Sequence, residues 1–283
     1  MNIIRIGWDI GGAQLKYCVY DSKSDVIWFD ILDIDFWKDF KKLKTILSDI
    51  IYEYESKNHT IVNIFTMSAE MCDCFPNRSE GVNFIIKQIK KLKYKSYIFT
   101  TEGLRDVNKI NPSSFDNVAS ANWYATAVSL KENHRNAIAV DFGSTTCDFI
   151  IIKNGIIMNK RVSDISGIQN HELLYTGCLR TPIYAHLNSI NLHNNTYSII
   201  PENFSTMADV YVVLNKIIPK NIYSKSPDGK AYTKLNSLSR IARSFGFDYT
   251  KSSESLIRHL ASNIFKNQMK TISKIINLNI KKY

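Results

Sequence analysis

GWDIGGAQLKYCVYD (residues 7–21) decides the fold, because the chain returns to the same pattern in AVDFGSTTCDFIIIK (residues 139–153). Superimposed, Asp9 falls on Asp141, Gly11 on Gly143, Gly12 on Ser144 and Lys16 on Asp148. In each copy a buried strand pattern ends in an aspartate, a turn of small residues follows, and a second strand leaves. A lone Asp-x-Gly is a weak signal and reads equally well as a plain hairpin turn. Two copies about half a chain apart, in the same strand context, are a specific one.

The residue types in the repeat suit an anion. A tight turn of glycine and serine lets backbone N–H groups converge, and glycine allows close approach of a ligand to the backbone. Aspartate at a strand end is a hard oxygen ligand of the kind Mg²⁺ takes, with waters completing its shell. Ser144, Thr145 and Thr146 add hydroxyl donors, and Lys16 adds a point charge. The expectation is that Asp9, Asp141 and Asp148 hold Mg²⁺, while Gly11, Gly12, Lys16, Gly143, Ser144, Thr145 and Thr146 hold phosphate oxygens. Hairpins heading two lobes would clamp one phosphate chain, a site for phosphoryl or diphosphate chemistry.

Outward from the repeat, the first third alternates strand and helix. Strands are expected at 3–9, 14–20, 25–31, 60–66 and 96–100. Phe36, Phe40, Leu43, Leu47, Ile50 and Tyr54 recur at steps of four and three, one face of an amphipathic helix. Further helices are expected at 79–92 and at 114–130, the latter opened by Pro112-Ser113-Ser114. After the restart, 137–142 reads as a buried strand, and 146–152 with 155–161 as a hairpin around Lys153-Asn154-Gly155. Helices follow at 203–217, 234–245 and 252–277. The stretch 176–200 has no readable period, and 219–233, with Pro219, Pro227 and Asp228-Gly229, reads as loop. The domains are 1–132 and 133–283, with an irregular insertion near 163–233.

Composition bounds the rest. The chain has 283 residues, 45% hydrophobic and 22% charged, enough for a substantial core. Its apolar runs are too short to span a bilayer, and the N-terminus enters a strand pattern at once, so no signal peptide is expected. Five cysteines make no disulfide framework, so the expected compartment is the cytoplasm. The formal charge is +10, and lysines concentrate in 38–44, 87–95 and 266–282. Without zinc-finger spacing or an RNA-binding aromatic signature, these read as solvated faces rather than a nucleic-acid surface.

Asp9-x-Gly11-Gly12 and Asp141-x-Gly143-Ser144-Thr145-Thr146-x-Asp148 resemble the two phosphate motifs of the actin, sugar-kinase and Hsp70 superfamily, closest to its hydantoinase/oxoprolinase branch. GWDIGGAQLK (7–16), FTMSAEMCDCFPNRSEGV (65–82), ASANWYATA (119–127), ELLYTGCLRTP (172–182), TMADVY (206–211) and DGKAY (228–232) resemble the tetrahydromethanopterin-linked one-carbon-pathway proteins. That family includes the methanofuran-biosynthesis synthase. The resemblance runs from residue 4 to roughly residue 260. It implies a two-lobed, actin-like (ribonuclease H-like) α/β ATPase fold. It also implies a transferase that joins an aminomethylfuran-methyl diphosphate to the phenol oxygen of a glutamyl-tyramine-like amine and releases diphosphate. Both partners are then small molecules, with neither nucleic acid nor membrane involved. Actin-like folds end in a glycine-rich adenosine-binding segment. Here Gly167, Gly177, Gly229 and Gly246 stand singly, so the expectation is that the second lobe either stops early or ends in a different element, and that an adenine site is missing. An ATP-dependent hydantoinase/oxoprolinase-like hydrolase or small-molecule kinase is the competing expectation.

Catalytic roles fall to Glu70, Asp141 and Lys16. Glu70 follows a buried strand, where catalytic groups gather in open α/β sheets, and is the candidate base for the phenol. Its bland reading, and that of Asp73, is a helix N-terminal acid. Arg180 can bind an anion or make a surface ion pair. Asn122 is a candidate to line the cleft, whereas Trp123 reads as core. Cys72-x-Cys74 lacks a second pair and reads as structural. The six histidines form no ligand pattern and read as surface or core residues.

Overall fold

The computed structural model describes residues 2–34, 36–56, 59–119, 121–192, 194–222 and 224–283; His193, read above as a surface or core residue, and Ser120, within the 119–127 motif, lie outside them. The chain divides into two compact units. One comprises Met1–Arg135 and Asn154–Ser166, the other Asn136–Lys153 and Gly167–Tyr283.

The first unit is built on a six-stranded sheet of β1 (Asn2–Ile10), β2 (Gln14–Asp21), β3 (Val26–Asp33), β4 (His59–Met67), β5 (Lys95–Thr100) and β6 (Gly103–Asp106), in the order β3-β2-β1-β4-β5-β6. β1, β2 and β3 form an antiparallel meander, while β4 runs parallel to β1 and β5 parallel to β4. Order and directions are those expected of an actin-like (ribonuclease H-like) lobe. Alternation decides the faces. Ile4, Ile6, Trp8 and Ile10 of β1 and Ile61, Phe65 and Met67 of β4 are buried on one side. There Trp8 stacks on Phe65 with centroids 5.8 Å apart and donates from Nε1 to Asn63 at 3.0 Å.

The amphipathic stretch from Phe36 is two helices, α1 (Phe36–Asp39) and α2 (Leu43–Glu53), joined by a 3₁₀ turn at Phe40–Lys42. The tighter turn seats Phe40 against Phe75 and Phe84, with centroids 5.4 and 5.1 Å away. α3 (Arg78–Ile89) is capped by Asn77, whose side chain accepts from the Glu80 N–H. The single helix expected over 114–130 is instead α4 (Phe115–Val118) and α5 (Asn122–Asn133). Ala119 turns extended at φ −61°, ψ 130°, and both Ala119 and Ala121 enter the core. Of the strand expected over 155–161, only β9 (Ile156–Ile157) forms, in contact with α5. β6 was not legible because its residues show no alternation of apolar and polar.

The second unit carries β7 (Ala137–Phe142), β8 (Cys147–Lys153) and β10 (Leu173–Leu174), antiparallel in the order β10-β8-β7. α6 (Asp164–Gln169) precedes β10. The unreadable 176–200 holds a hairpin of β11 (Ser189–Leu192) and β12 (Asn195–Ser198). Packing then falls to α7 (Met207–Val213), α8 (Lys234–Ser244) and α9 (Glu254–Lys282). All seven residues of α7 are buried, as an interior helix requires. Among its described residues this unit repeats the hairpin but not the parallel strands of the first. No helix among the described residues is long and apolar enough to cross a membrane.

Candidate functional site

The repeat holds at the level of hydrogen bonds. In the first copy the Gly11 N–H donates to the Gln14 carbonyl at 3.0 Å; in the second, the Gly143 N–H donates to the Thr146 carbonyl at 2.9 Å. In the first ladder Asp9 stands opposite Lys16, and in the second Asp141 stands opposite Asp148. Side chains at directly opposed positions share a face, so the same two places of each hairpin present the charged pair.

In the first hairpin, the strand period turns Asp9 away from buried Trp8 and Ile10. Its neighbours in the row are Lys16 on β2 and Thr66 on β4. Lys16 Nζ lies 3.2 Å from Asp9 Oδ2, with side chains 51% and 30% exposed. The Thr66 hydroxyl donates to the Trp8 carbonyl at 3.2 Å and lies 3.4 Å from Asp9 Oδ1. Gly11 is sterically required by backbone, whereas a Cβ on Gly12 would have to displace only a side chain. A Cβ on Gly11 would sit 2.8 Å from the Gln14 carbonyl oxygen, and one on Gly12 would sit 2.8 Å from Cys72 Sγ. The Ser68 N–H, just past β4, donates to the Ile10 carbonyl at 2.9 Å and ties the turn to the segment that carries Glu70.

Glu70 is fully buried in a 3₁₀ turn at Ala69–Met71. α3 crosses over it so closely that a Cβ on Gly81 would lie 2.3 Å from the Glu70 carbonyl oxygen. Asp73 is exposed, and Cys72 and Cys74 are half-buried thiols outside any disulfide. Burial pushes the Cys74 thiol above its ordinary value. Asn122 is half-buried at the start of α5. Trp123 is core, as its size suggested, with the Arg161 guanidinium 5.2 Å from its ring.

In the second hairpin Asp141 is exposed and Asp148 is 8% exposed, on a strand buried along nearly its whole length. Burial, with the charges of Asp148, Cys178 and Asp141, pushes the neighbouring Cys147 thiol up to about 12, which removes it as a nucleophile. The turn is strapped by the YTGCLRTP segment. Cys178 donates its N–H to the Gly143 carbonyl at 3.0 Å, and Leu179 and Arg180 donate theirs to the Ser144 carbonyl at 3.2 and 2.8 Å. Gly177 permits this approach, since a Cβ there would fall 2.3 Å from the Ser144 carbonyl carbon. The strap holds the Arg180 backbone on the Ser144 carbonyl, and the Ser144 and Thr145 hydroxyls of the same turn are 3.5 Å apart. The Arg180 side chain is exposed and makes no ion pair with any described residue.

Among the described residues no group of three or more histidine, cysteine, aspartate or glutamate side chains converges as a metal cage. The second hairpin's donors nonetheless fit a hard cation: two carboxylates at opposed ladder positions, whose like charges repel, beside three hydroxyl-bearing residues. Thr146 is placed by the turn bond to Gly143 and is half-buried.

Other family motifs lead to buried networks that sequence reasoning missed. Asp209 of TMADVY, 0% exposed, lies 2.7 Å from the Arg240 guanidinium on α8, 1% exposed. Arg240 also reaches Asp228 of DGKAY at 2.9 Å and sits 5.0 Å from the ring of Tyr232. Burial pushes the Asp209 carboxyl above its ordinary value, with Arg240 opposing the shift. In a second network the Gln268 amide donates to Thr176 Oγ1 at 2.8 Å and to the Gly177 carbonyl at 3.0 Å, and accepts from the Tyr211 hydroxyl at 2.9 Å. These residues fasten the strap, and only the pairing of distant motifs reveals them.

Residues 62–283 match the family model of hydantoinase/oxoprolinase. Over 285 aligned residues the chain is 27% identical to the (4-{4-[2-(gamma-L-glutamylamino)ethyl]phenoxymethyl}furan-2-yl)methanamine synthase of Methanocaldococcus jannaschii, with 100% of this chain and 84% of the relative covered. A protein of the same name from Methanococcus vannielii is 35% identical over 132 residues, covering 47% of this chain and 59% of its own. A solved Aquifex aeolicus PPX-GPPA enzyme is 12% identical, with 56% of this chain and 51% of that chain covered, at a TM-score of 0.31, an overlap too loose to argue from.

Proposed function

The chain belongs to the hydantoinase/oxoprolinase family, and from that premise we propose that it forms the aryl ether of a methanofuran-type cofactor. An aminomethylfuran-methyl diphosphate and a glutamyl-tyramine-like phenol would be its substrates and diphosphate its second product. The observation that carries this reading is similarity along the whole chain to a relative named as that synthase. The carbon–oxygen bond of the diphosphate ester breaks with both electrons leaving on the diphosphate. The furan ring delocalises the positive charge left on the methylene carbon. The phenol oxygen then bonds to that carbon and gives up its proton.

The chain's part is chiefly to hold the leaving group, where charge develops. Gly143, Ser144, Thr145, Thr146 and Arg180 would bind diphosphate oxygens at the second hairpin, and Gly11, Gly12 and Lys16 would serve the same chemistry at the first. Mg²⁺, when bound by Asp141 and Asp148 at the second hairpin or by Asp9 at the first, would supply charge neutralisation, with water and diphosphate completing its shell. Glu70 would take the phenol proton.

Turnover of the furan-methyl diphosphate with tyramine or its glutamyl derivative, followed by diphosphate release, tests the reading. Diphosphate should appear without ATP. Glu70→Gln should slow release while diphosphate affinity stays nearly unchanged, because a base acts in the transition state. ADP should bind scarcely better than inorganic diphosphate. Strict dependence of product on ATP, with ADP or phosphate appearing in proportion, would overturn the transferase in favour of an ATP-dependent enzyme.

A further inference from the structure

Gln268 of α9 is 0% exposed, and both ends of its amide are engaged. A backbone carbonyl can only accept, so the Gly177 oxygen, 3.0 Å away, fixes Nε2 on its side. Nε2 also donates to Thr176 Oγ1 at 2.8 Å, and Oε1 is left to accept from the Tyr211 hydroxyl at 2.9 Å. The amide therefore has one orientation, and it grips the strap at Gly177. That glycine lies flat on the Ser144–Thr145 peptide: a Cβ on it would sit 2.3 Å from the Ser144 carbonyl carbon and oxygen and 2.4 Å from the Thr145 nitrogen.

The strap orients the turn through its carbonyls. The Gly143 oxygen accepts from the Cys178 N–H, and the Ser144 oxygen accepts from those of Leu179 and Arg180. In these trans peptides each N–H points opposite to its C=O. The Ser144 and Thr145 N–H groups therefore both face away from the strap, and neither donates to an acceptor among the described residues. Successive N–H groups turned the same way suit an anion. We propose, on the reading of the second hairpin as the diphosphate site, that Gln268 is a positioning residue for the leaving diphosphate. It holds Gly177 so that the Ser144 and Thr145 N–H groups meet the diphosphate oxygens. Gln268 acts on the anion only through the strap, so its loss should misalign these donors without removing one.

Calorimetric titration of the full chain with inorganic diphosphate, in the presence of Mg²⁺, tests this. Gln268→Met keeps the length of the side chain and removes its hydrogen bonds, so affinity should fall about tenfold. Asn279→Leu is the control. Asn279 is an equally buried amide about 16 Å further along α9, where it donates to the His171 carbonyl at 2.7 Å. Its loss should leave affinity as in the wild type. Gln268→Glu keeps the shape but, when ionised, has no proton for Gly177. Relative to the wild type, its affinity should be low at about pH 8 and recover towards about pH 5, as the buried carboxyl takes up a proton. His186, whose Nε2 lies 3.3 Å from Thr176 Oγ1, stays mostly neutral over that range, since burial lowers its imidazole to about 4. Should Gln268→Met not fold, Tyr211→Phe, which lets the amide turn, should still weaken binding about threefold. Wild-type affinity in Gln268→Met or in Tyr211→Phe, an equal loss in Asn279→Leu, or no recovery of Gln268→Glu on acidification overturns the proposal alone. A wild type that binds no diphosphate overturns the diphosphate reading of the hairpin along with it.

Discussion

Lys16 Nζ and Asp9 Oδ2 lie 3.2 Å apart across directly opposed positions of the β1–β2 ladder, and the same two places on β7–β8 hold Asp141 and Asp148. The opposed positions thus hold a lysine–aspartate pair in one hairpin and two aspartates in the other. The two copies of one motif have been given different electrostatic work.

Metal dependence should follow that difference. Asp141→Asn should remove most of the gain in diphosphate affinity that Mg²⁺ confers, about tenfold or more, while Asp9→Asn should remove less, because Lys16 already offsets its charge. Calorimetric titration of diphosphate with and without Mg²⁺ reads both. Equal losses would show that the lysine–aspartate hairpin holds metal as well as the two-aspartate one.

Glycine substitutions should separate close packing from turn conformation. Gly177→Ala and Gly81→Ala each drive a Cβ to 2.3 Å from backbone, and each should destabilise the fold by about 2 kcal/mol or more in chemical denaturation. Gly155→Ala meets nothing within 4 Å and is strained only by φ +77°, so it should cost about 1 kcal/mol. A Gly177→Ala protein as stable as the wild type would refute the strap over the Ser144 turn.

Stability should fall on mild acidification. Burial lowers the His186 imidazole to about 4 from 6.5, so between those values the unfolded chain binds the proton and the folded chain does not. Stability from this group is complete above about pH 6.5 and is lost as pH falls towards 4, by about 1–3 kcal/mol. Denaturant midpoints measured from pH 7 to pH 4 should flatten in His186→Gln. An unchanged slope would place the titration elsewhere.

Arg240→Met should be among the most damaging single changes, because it strands the buried Asp209 carboxylate. The expected loss is about 3–5 kcal/mol. Joining Asp209→Leu to it should recover part of that loss, since no lone buried charge remains. A double variant no better than Arg240→Met would mean that the guanidinium matters through Asp228 and Tyr232 instead.

The sequence by itself determined the two hairpins and most of the first unit's strands. Their signals are local: a period of two, a terminal aspartate and glycines where no Cβ fits. It also determined the family, because its motifs stand in order along the chain. Helix interruptions escaped it, since Phe40 and Ala119 bend the chain to reach partners far away in sequence. The tertiary structure alone decided what the motifs do. Nothing local to their own segments marks Asp209, Asp228 or Arg240 as partners. Only when α7, α8 and the 226–232 loop pack together does burial make them one ion network. Gly177 likewise looks like an ordinary loop glycine until the fold lays it against Ser144, where excluded volume, not turn conformation, requires it. Contacts between segments far apart in the chain carry no periodicity, so no local pattern could have announced them.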